Sequence, residues 1–131
     1  MSVFKDDILE GKVAFVTGGG SGICKGITRA FMQHGADAAI VGRKADRLEA
    51  VAKELSEETG RRCVATPADV REPKAVEAAL DAAIEQLGDV DIVVNGAAGN
   101  FLCPAATLSY NAFKTVIDID TVGTWNVTRA A

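Results

Sequence analysis

Short apolar runs alternate with longer amphipathic stretches along this chain of 131 residues. An apolar run without regular alternation is typical of a strand that is buried on both faces of a sheet. Such runs predict four strands, the third with the weakest pattern, over residues 12–17, 38–41, 63–66 and 91–95. Because both faces of these strands are apolar, we expect helices to cover both sides of the sheet.

The stretches between the strands carry apolar residues at helical spacing. In residues 46–59 these positions follow i, i+3, i+4 and i+7: Leu48, Val51, Ala52 and Leu55. Helices are likewise predicted over residues 22–34 and 73–87, and from about residue 109 onward. Glycine follows each of the first three, at Gly35, Gly60 and Gly88, where it ends helices.

This strand–helix alternation predicts an α/β protein with a Rossmann-type, doubly wound parallel sheet. The length suits one domain, and no linker or internal repeat divides it. Residues 125–131 carry no helix stop signal. We therefore expect residues 1–131 to be the N-terminal portion of a single, larger Rossmann domain, truncated after about four strands.

A cluster of glycines directly follows the first predicted strand. Glycines there let backbone N–H groups approach a pyrophosphate at the positive end of the next helix. The cluster satisfies neither G-x-G-x-x-G, because position 23 is isoleucine, nor the phosphate-loop motif of NTPases. The residues that we expect to contact a dinucleotide here are Gly18, Gly19, Gly20, Ser21, Gly22 and Ile23.

The end of the second predicted strand indicates which dinucleotide binds. An acid at this place would bond the 2′-hydroxyl of NAD, but the chain has Arg43 and Lys44, with Arg47 one helical turn later. Guanidinium groups suit a 2′-phosphate, so the sequence predicts NADPH. The alternative is that Arg43 and Lys44 are solvated loop charges.

Charge and cysteine content exclude several other classes. The net charge of −4 provides no basic field for nucleic acid, and no apolar stretch approaches the length of a membrane span. The three cysteines form no C-x-x-C pair, so we expect no disulfide framework and no metal site.

The segment Thr17-Gly18-x-x-x-Gly22-Ile23 resembles the cofactor fingerprint of the short-chain dehydrogenase/reductase superfamily. That resemblance implies that Asp69 and Val70 contact the adenine and that Asn95 lies near the nicotinamide ribose. Two positions depart from the usual pattern: Cys24 stands where the superfamily has glycine, and Gly96 follows Asn95 in place of a second asparagine.

A longer set of residues is similar to the 2,4-dienoyl-CoA reductases, particularly the peroxisomal type. It comprises the run 97–101, the segment Ser109-x-Asn111-Ala112-Phe113-Lys114, and residues 118–120. The resemblance implies NADPH-dependent reduction of 2,4-dienoyl-CoA to 3-enoyl-CoA in unsaturated fatty acid β-oxidation. It also implies a peroxisomal location, with the cytoplasm as the alternative.

Site roles follow from the same resemblance. Asp120 stands where most of the superfamily has a structural asparagine, and it would hold or relay a proton. The residues implied to line the acyl-CoA site are Arg43, Arg71, Phe101, Ser109, Tyr110 and Asn111. Tyr110 and Lys114 also spell Y-x-x-x-K, but too early in the chain to be the catalytic signature.

Two other functions stay open. One is a carbonyl or alcohol oxidoreductase of the same superfamily, and the other is a non-catalytic nucleotide-binding subunit. A methyltransferase is disfavoured because Gly42 and Arg43 stand where an acid would hold its cofactor's ribose. We expect the complete protein to be a homo-oligomer, and the 131 residues alone to be inactive.

Overall fold

The computed structural model describes residues 3–131, in which four strands alternate with three helices and two further helices follow the last strand. The strands are β1 Val13–Thr17, β2 Asp37–Val41, β3 Cys63–Ala65 and β4 Ile92–Val94. The helices are α1 Gly22–Gln33, α2 Ala45–Thr59, α3 Pro73–Leu87, α4 Tyr110–Ile117 and α5 Gly123–Ala130. No helix in the described part of the chain is long and apolar enough to cross a membrane.

The four strands form one parallel sheet in the order β3-β2-β1-β4. β1 pairs with β2 from Val13 opposite Asp37 to Thr17 opposite Val41, and its other edge pairs with β4. The strand order reverses between β1 and β4, which confirms the predicted doubly wound topology. Ligands of such sheets bind at the carboxyl ends of the strands, beside this reversal.

Two apolar clusters confirm that helices cover both faces of the sheet. On one face, α1 and α2 contribute Met32, Leu48 and Leu55, which pack against Ile40 of β2. On the other, α3 and α5 pack against β1 around the fully buried Phe15. Both faces of the central strands are therefore buried from solvent, as the continuous apolar runs predict.

The fourth strand is shorter than the predicted 91–95. Asp91 lies outside it, and its carboxylate accepts hydrogen bonds from the Val13 N–H and the Lys12 ammonium, each at 3.0 Å. These two bonds, the Val13 N–H first, lower the pKa of Asp91. Asp91 thus ties the start of β1 to β4 through its side chain.

The helix predicted from about residue 109 is interrupted by a π turn, Asp118–Val122, between α4 and α5. Immediately after it, a Cβ on Gly123 would lie 2.5 Å from Val70 Cγ2. Only glycine permits this approach of α5 to the loop after β3. Single-turn π segments occur frequently at functional sites.

Cys24 and Cys63 are both half-buried, and the alkylation of Cys63 can be predicted against that of the exposed Cys103. Burial raises the pKa of the Cys63 thiol to about 12, whereas Cys103 is exposed. At pH 8 iodoacetamide should modify Cys103 readily and Cys63 about 1000-fold more slowly than an ordinary thiol, because the thiolate reacts. Mass spectrometry of time points checks this, and urea should abolish the protection; a fast native reaction at Cys63 would contradict it.

The raised pKa of Cys63 also makes stability depend on pH. Because folding raises this pKa, ionisation of the thiol opposes folding. The contribution of Cys63 to the free energy of unfolding is therefore fully present below pH 9 and is lost as pH rises towards 12.

Candidate functional site

A cleft of about 540 Å³ opens at the carboxyl ends of the strands, beside the reversal of strand order. Its walls come from the glycine turn after β1 and from the loops after β2, β3 and β4. Of the residues predicted to bind cofactor or substrate, those that line it are Gly18, Gly20, Ser21, Gly22, Ile23, Arg43, Lys44, Arg47, Asp69, Val70 and Arg71.

The glycine turn forms the floor of the cleft and leads into α1. Gly18 has φ +70°, and a Cβ there would lie 2.8 Å from the Gly96 carbonyl oxygen, so both conformation and space require glycine. Ser21 precedes α1 and its side chain does not cap the helix. The first backbone N–H groups of α1 therefore remain available for an anion at the cleft.

Two of the predicted cofactor residues do not line the cleft. A Cβ on Gly19 would lie 2.6 Å from Ile40 Cγ2, so this glycine is required by packing against β2. Asn95 donates from Nδ2 to Thr128 Oγ1 at 3.1 Å, which joins the end of β4 to α5. For both residues the structure shows a packing or bridging role.

Three basic residues form one wall of the cleft. Arg43 and Lys44 follow β2, and Arg47 lies in the first turn of α2. None of them forms an ion pair with another described residue within 4.0 Å. Arg43 nevertheless lies near enough to Asp69 for its charge to contribute to the lowered pKa of that carboxyl. Together with the helix N-terminus at the cleft, the three basic groups attract phosphate.

The loop after β3 carries a tightly bonded acid–base pair. Arg71 donates from Nη2 to Asp69 Oδ2 at 2.6 Å and from Nε to Oδ1 at 3.0 Å, and the Arg71 backbone N–H also bonds Oδ1. This hydrogen bonding lowers the pKa of Asp69, whose charge therefore persists in moderately acidic solution. Arg71 is thus an oriented side chain at the cleft.

Thr17 connects the end of β1 to the loop after β4. Its hydroxyl, in a side chain that is almost fully buried, donates to the Val94 carbonyl at 3.3 Å and accepts from the N–H groups of Gly96 and Ala97, each at 3.0 Å. One hydroxyl therefore fixes the backbone that faces the glycine turn.

The two residues that depart from the superfamily pattern, Cys24 and Gly96, lie next to each other in the wall of the cleft. Both Cys24 and Gly96 line the cleft, and a Cβ on Gly96 would lie 2.1 Å from Cys24 Sγ. The thiol thus occupies the space that a side chain at residue 96 would need. The cysteine and the glycine are complementary in size.

Asp120 lies in the π turn and reaches the loop after β4. Its Oδ1 accepts a hydrogen bond from the Gly99 N–H at 2.8 Å, while the preceding Ile119 lines the cleft. Asp118, two residues earlier, pairs instead with Lys114. The two neighbouring acids therefore have different surroundings. Asp120 is bonded to the loop after β4, beside the cleft, although neither Asp120 nor Gly99 lines the cleft itself.

The remaining residues of the implied acyl-CoA site lie outside the cleft. Phe101 and Asn111 are exposed, and Tyr110 is 97% exposed at the start of α4. Ser109 Oγ accepts the Ala112 N–H at 3.1 Å and so caps α4. In this structure these residues form no enclosed pocket.

Some residues that shape the site were not predicted from the sequence. Asn126 donates from Nδ2 to the Val70 carbonyl at 2.9 Å, across 56 positions, and Ile119 lines the cleft. The role of Gly123 against Val70 was likewise not predicted. A glycine and an asparagine in an otherwise regular helix are the only signals that the sequence offered.

The sheet topology, and the cleft bordered by a glycine turn after the first strand, are those of a nucleotide-binding dehydrogenase fold. The sequence profile of the short chain dehydrogenase family matches residues 12–131, and the chain belongs to this family.

Among curated relatives, the chain is 55% identical over 127 residues to peroxisomal 2,4-dienoyl-CoA reductase of Rattus norvegicus. It is 49% identical to the protein of the same name from Danio rerio. These alignments cover 97% of this chain but 44% and 42% of the relatives, so the chain spans less than half of their length.

Solved structures show the same architecture. L-sorbose reductase of Gluconobacter frateurii, complexed with NADPH and L-sorbose, matches with a TM-score of 0.88 and 28% identity over 96% of this chain and 48% of its own. An alcohol dehydrogenase of Thermococcus sibiricus, complexed with 5-hydroxy-NADP, matches with a TM-score of 0.85 and 34% identity. That alignment covers 91% of this chain and 51% of the dehydrogenase.

Proposed function

We propose that this chain is the nucleotide-binding part of an NADPH-dependent 2,4-dienoyl-CoA reductase that forms 3-enoyl-CoA in unsaturated fatty acid β-oxidation. The observation that carries the proposal is the cleft in which three basic residues, none in an ion pair with another described residue, lie beside a glycine-rich helix N-terminus. The identity of 55% to a reductase of that name supplies the substrate class.

The cleft fits NADPH on the chemistry of its walls. A pyrophosphate suits the N–H groups at the start of α1, and the glycines leave room for it. The 2′-phosphate suits Arg43, Lys44 and Arg47, whose charges no described acid neutralises through an ion pair. The backbone of Gly96 and Ala97, fixed by Thr17, would lie beside the nicotinamide ribose.

When bound, NADPH supplies a hydride to the δ-carbon of the dienoyl group. Negative charge then moves along the conjugated system to the thioester oxygen, and protonation at the α-carbon gives the 3-enoyl product. Asp120 is proposed to hold or relay that proton through water. Its Oδ1 is bonded to Gly99, which leaves Oδ2 for this task.

The acyl-CoA is proposed to enter from the side of the loop after β3. Arg71, oriented by Asp69, and Arg43 would meet the CoA phosphates. Phe101, Ser109, Tyr110 and Asn111 would contact the pantetheine and acyl portions. A peroxisomal location is supported by the names of the relatives, and we propose a homo-oligomeric assembly for the complete protein.

The experiment uses a graft protein, in which this chain replaces the matching segment of the rat relative. NADPH absorbance is followed with a 2,4-dienoyl-CoA and, separately, with simple ketones. We expect NADPH oxidation with the dienoyl-CoA. Oxidation with ketones alone would favour a carbonyl reductase, and NADPH binding without oxidation of either kind would favour a non-catalytic subunit.

Changing Arg43 to aspartate should reverse the cofactor preference of the graft protein. The new carboxylate would repel a 2′-phosphate and bond a 2′-hydroxyl, so we expect the NADPH/NADH ratio of kcat/KM to fall about 100-fold or more. Arg129, exposed on α5, provides the control, and R129Q should keep the wild-type ratio. An unchanged ratio in R43D would remove Arg43 from cofactor recognition.

A further inference from the structure

The loop after β3 contains a turn that is closed by its own hydrogen bonds. The Asp69 carboxylate bonds both the backbone and the guanidinium of Arg71, and the Asp69 carbonyl accepts the Glu72 N–H at 3.0 Å. Asp69, Val70 and Arg71 all line the cleft. Any displacement of the turn therefore moves several groups of the cleft wall together.

α5 helps to position this turn, in addition to the bond that the Ala68 N–H donates to the Gly42 carbonyl at 3.0 Å just before it. Among the described residues, the one hydrogen bond that Val70 receives from outside the turn is from Asn126 Nδ2 to its carbonyl, at 2.9 Å. The Val70 side chain is 7% exposed and lies against Gly123, where a Cβ would approach Val70 Cγ2 to 2.5 Å. A hydrogen bond and a close packing contact thus hold Val70 from the same helix.

Asn126 itself does not line the cleft. It is half-buried, and its amide points to the backbone between the two residues of the Asp69–Arg71 pair. Loss of its donor would leave the Val70 carbonyl without this bond, and the packing of Val70 against Gly123 would then have to hold the turn to α5. Ligand contacts should therefore weaken at the part of the cleft that this turn borders, whereas contacts at the glycine turn after β1 should be unaffected.

We infer that Asn126 is a positioning residue for the phosphoadenosine end of bound NADPH, acting through Val70 and the neighbouring Asp69, the two residues implied to contact the adenine. The inference rests on the proposed function and deepens it, because it adds a residue that determines affinity without touching the ligand. It predicts that the adenosine end and the nicotinamide end of the cleft respond differently to the same substitution.

The test measures binding of adenosine 2′,5′-bisphosphate to the graft protein by calorimetry. N126A should weaken binding about tenfold, the worth of one lost hydrogen bond at a partly buried carbonyl. N126D keeps the shape but places a carboxylate against the Val70 carbonyl, so it should weaken binding at least as much. R129Q, on the same helix, should bind as the wild type does.

A second readout separates positioning from a general loss of structure. The rate of NADPH oxidation at saturating NADPH and dienoyl-CoA should change less than threefold in N126A and N126D, while KM for NADPH rises about tenfold. N126S, which retains a shorter donor, replaces N126A if circular dichroism shows that the alanine variant is unfolded. Wild-type affinity for the bisphosphate in N126D would overturn the inference. Failure of the unsubstituted graft protein to bind the bisphosphate would instead contradict the proposed function and remove the inference with it.

Discussion

Replacing Asp120 with asparagine is expected to lower kcat for dienoyl-CoA reduction by about 10²–10⁴-fold, the range of general acid–base catalysis. The amide oxygen can still accept the Gly99 N–H that Asp120 Oδ1 accepts at 2.8 Å, so the loop after β4 should keep its place. The amide cannot exchange a proton as a carboxyl group does. Steady-state kinetics of the graft protein, with NADPH affinity from fluorescence, measure the two properties separately.

The alanine variant and a neighbouring acid complete this comparison. D120A removes both the proton carrier and the acceptor for Gly99, so it should lose turnover like D120N and also raise KM for the substrate. D118N should keep kcat near the wild-type value, because Asp118 pairs with Lys114 and, among the described residues, does not bond the loop after β4. Its charge acts on Arg71, so any change should appear in KM for the substrate. Near-normal turnover in D120N would restrict Asp120 to a structural role.

Placing alanine at Gly96 is expected to lower the free energy of unfolding by about 3 kcal/mol. The added Cβ would lie 2.1 Å from Cys24 Sγ and 2.8 Å from the Thr17 carbonyl oxygen. C24A removes the sulfur and leaves Cβ at 3.5 Å, an ordinary contact. The double variant should therefore recover about 1–2 kcal/mol, a coupling typical of residues in direct contact. Urea denaturation of the graft protein measures the free energy of unfolding of the unsubstituted protein, G96A, C24A and the double variant.

Gly26 provides the matched control for this cycle. It lies in α1 like Cys24, and a Cβ there would have no atom within 4 Å. G26A should be neutral or raise the free energy of unfolding by up to about 1 kcal/mol, because alanine favours helix. Strictly additive effects of G96A and C24A would show that the two departures from the family pattern are independent.

The sequence predicted those features that are encoded locally. The apolar runs predicted the four strands, and Gly60, which has φ +70°, ended α2 as expected. The position of Arg43 after β2 likewise predicted a basic wall, because the loops of a parallel sheet meet at one edge. Periodicity and turn chemistry act over a few residues and can be read without knowledge of the tertiary structure.

What the sequence could not predict depends on the approach of distant segments. Asn126 meets Val70 across 56 positions, and the π turn brings Asp120 to Gly99 while Gly123 packs against Val70. Gly19 was expected at the cofactor, and this stays a prediction; the structure adds that a Cβ there would meet Ile40 of β2. A glycine required by packing and one required by a ligand look identical in a sequence, since both exclude a Cβ.

The most direct test of the proposed reduction is the position of the transferred hydrogens. The graft protein is supplied with a 2,4-dienoyl-CoA and NADPH deuterated at the transferable position, in ordinary water, and then with unlabelled NADPH in deuterium oxide. The proposal predicts a 3-enoyl-CoA with cofactor deuterium at the δ-carbon and solvent deuterium at the α-carbon. Cofactor deuterium at the β-carbon, or a 2-enoyl-CoA product, would contradict it.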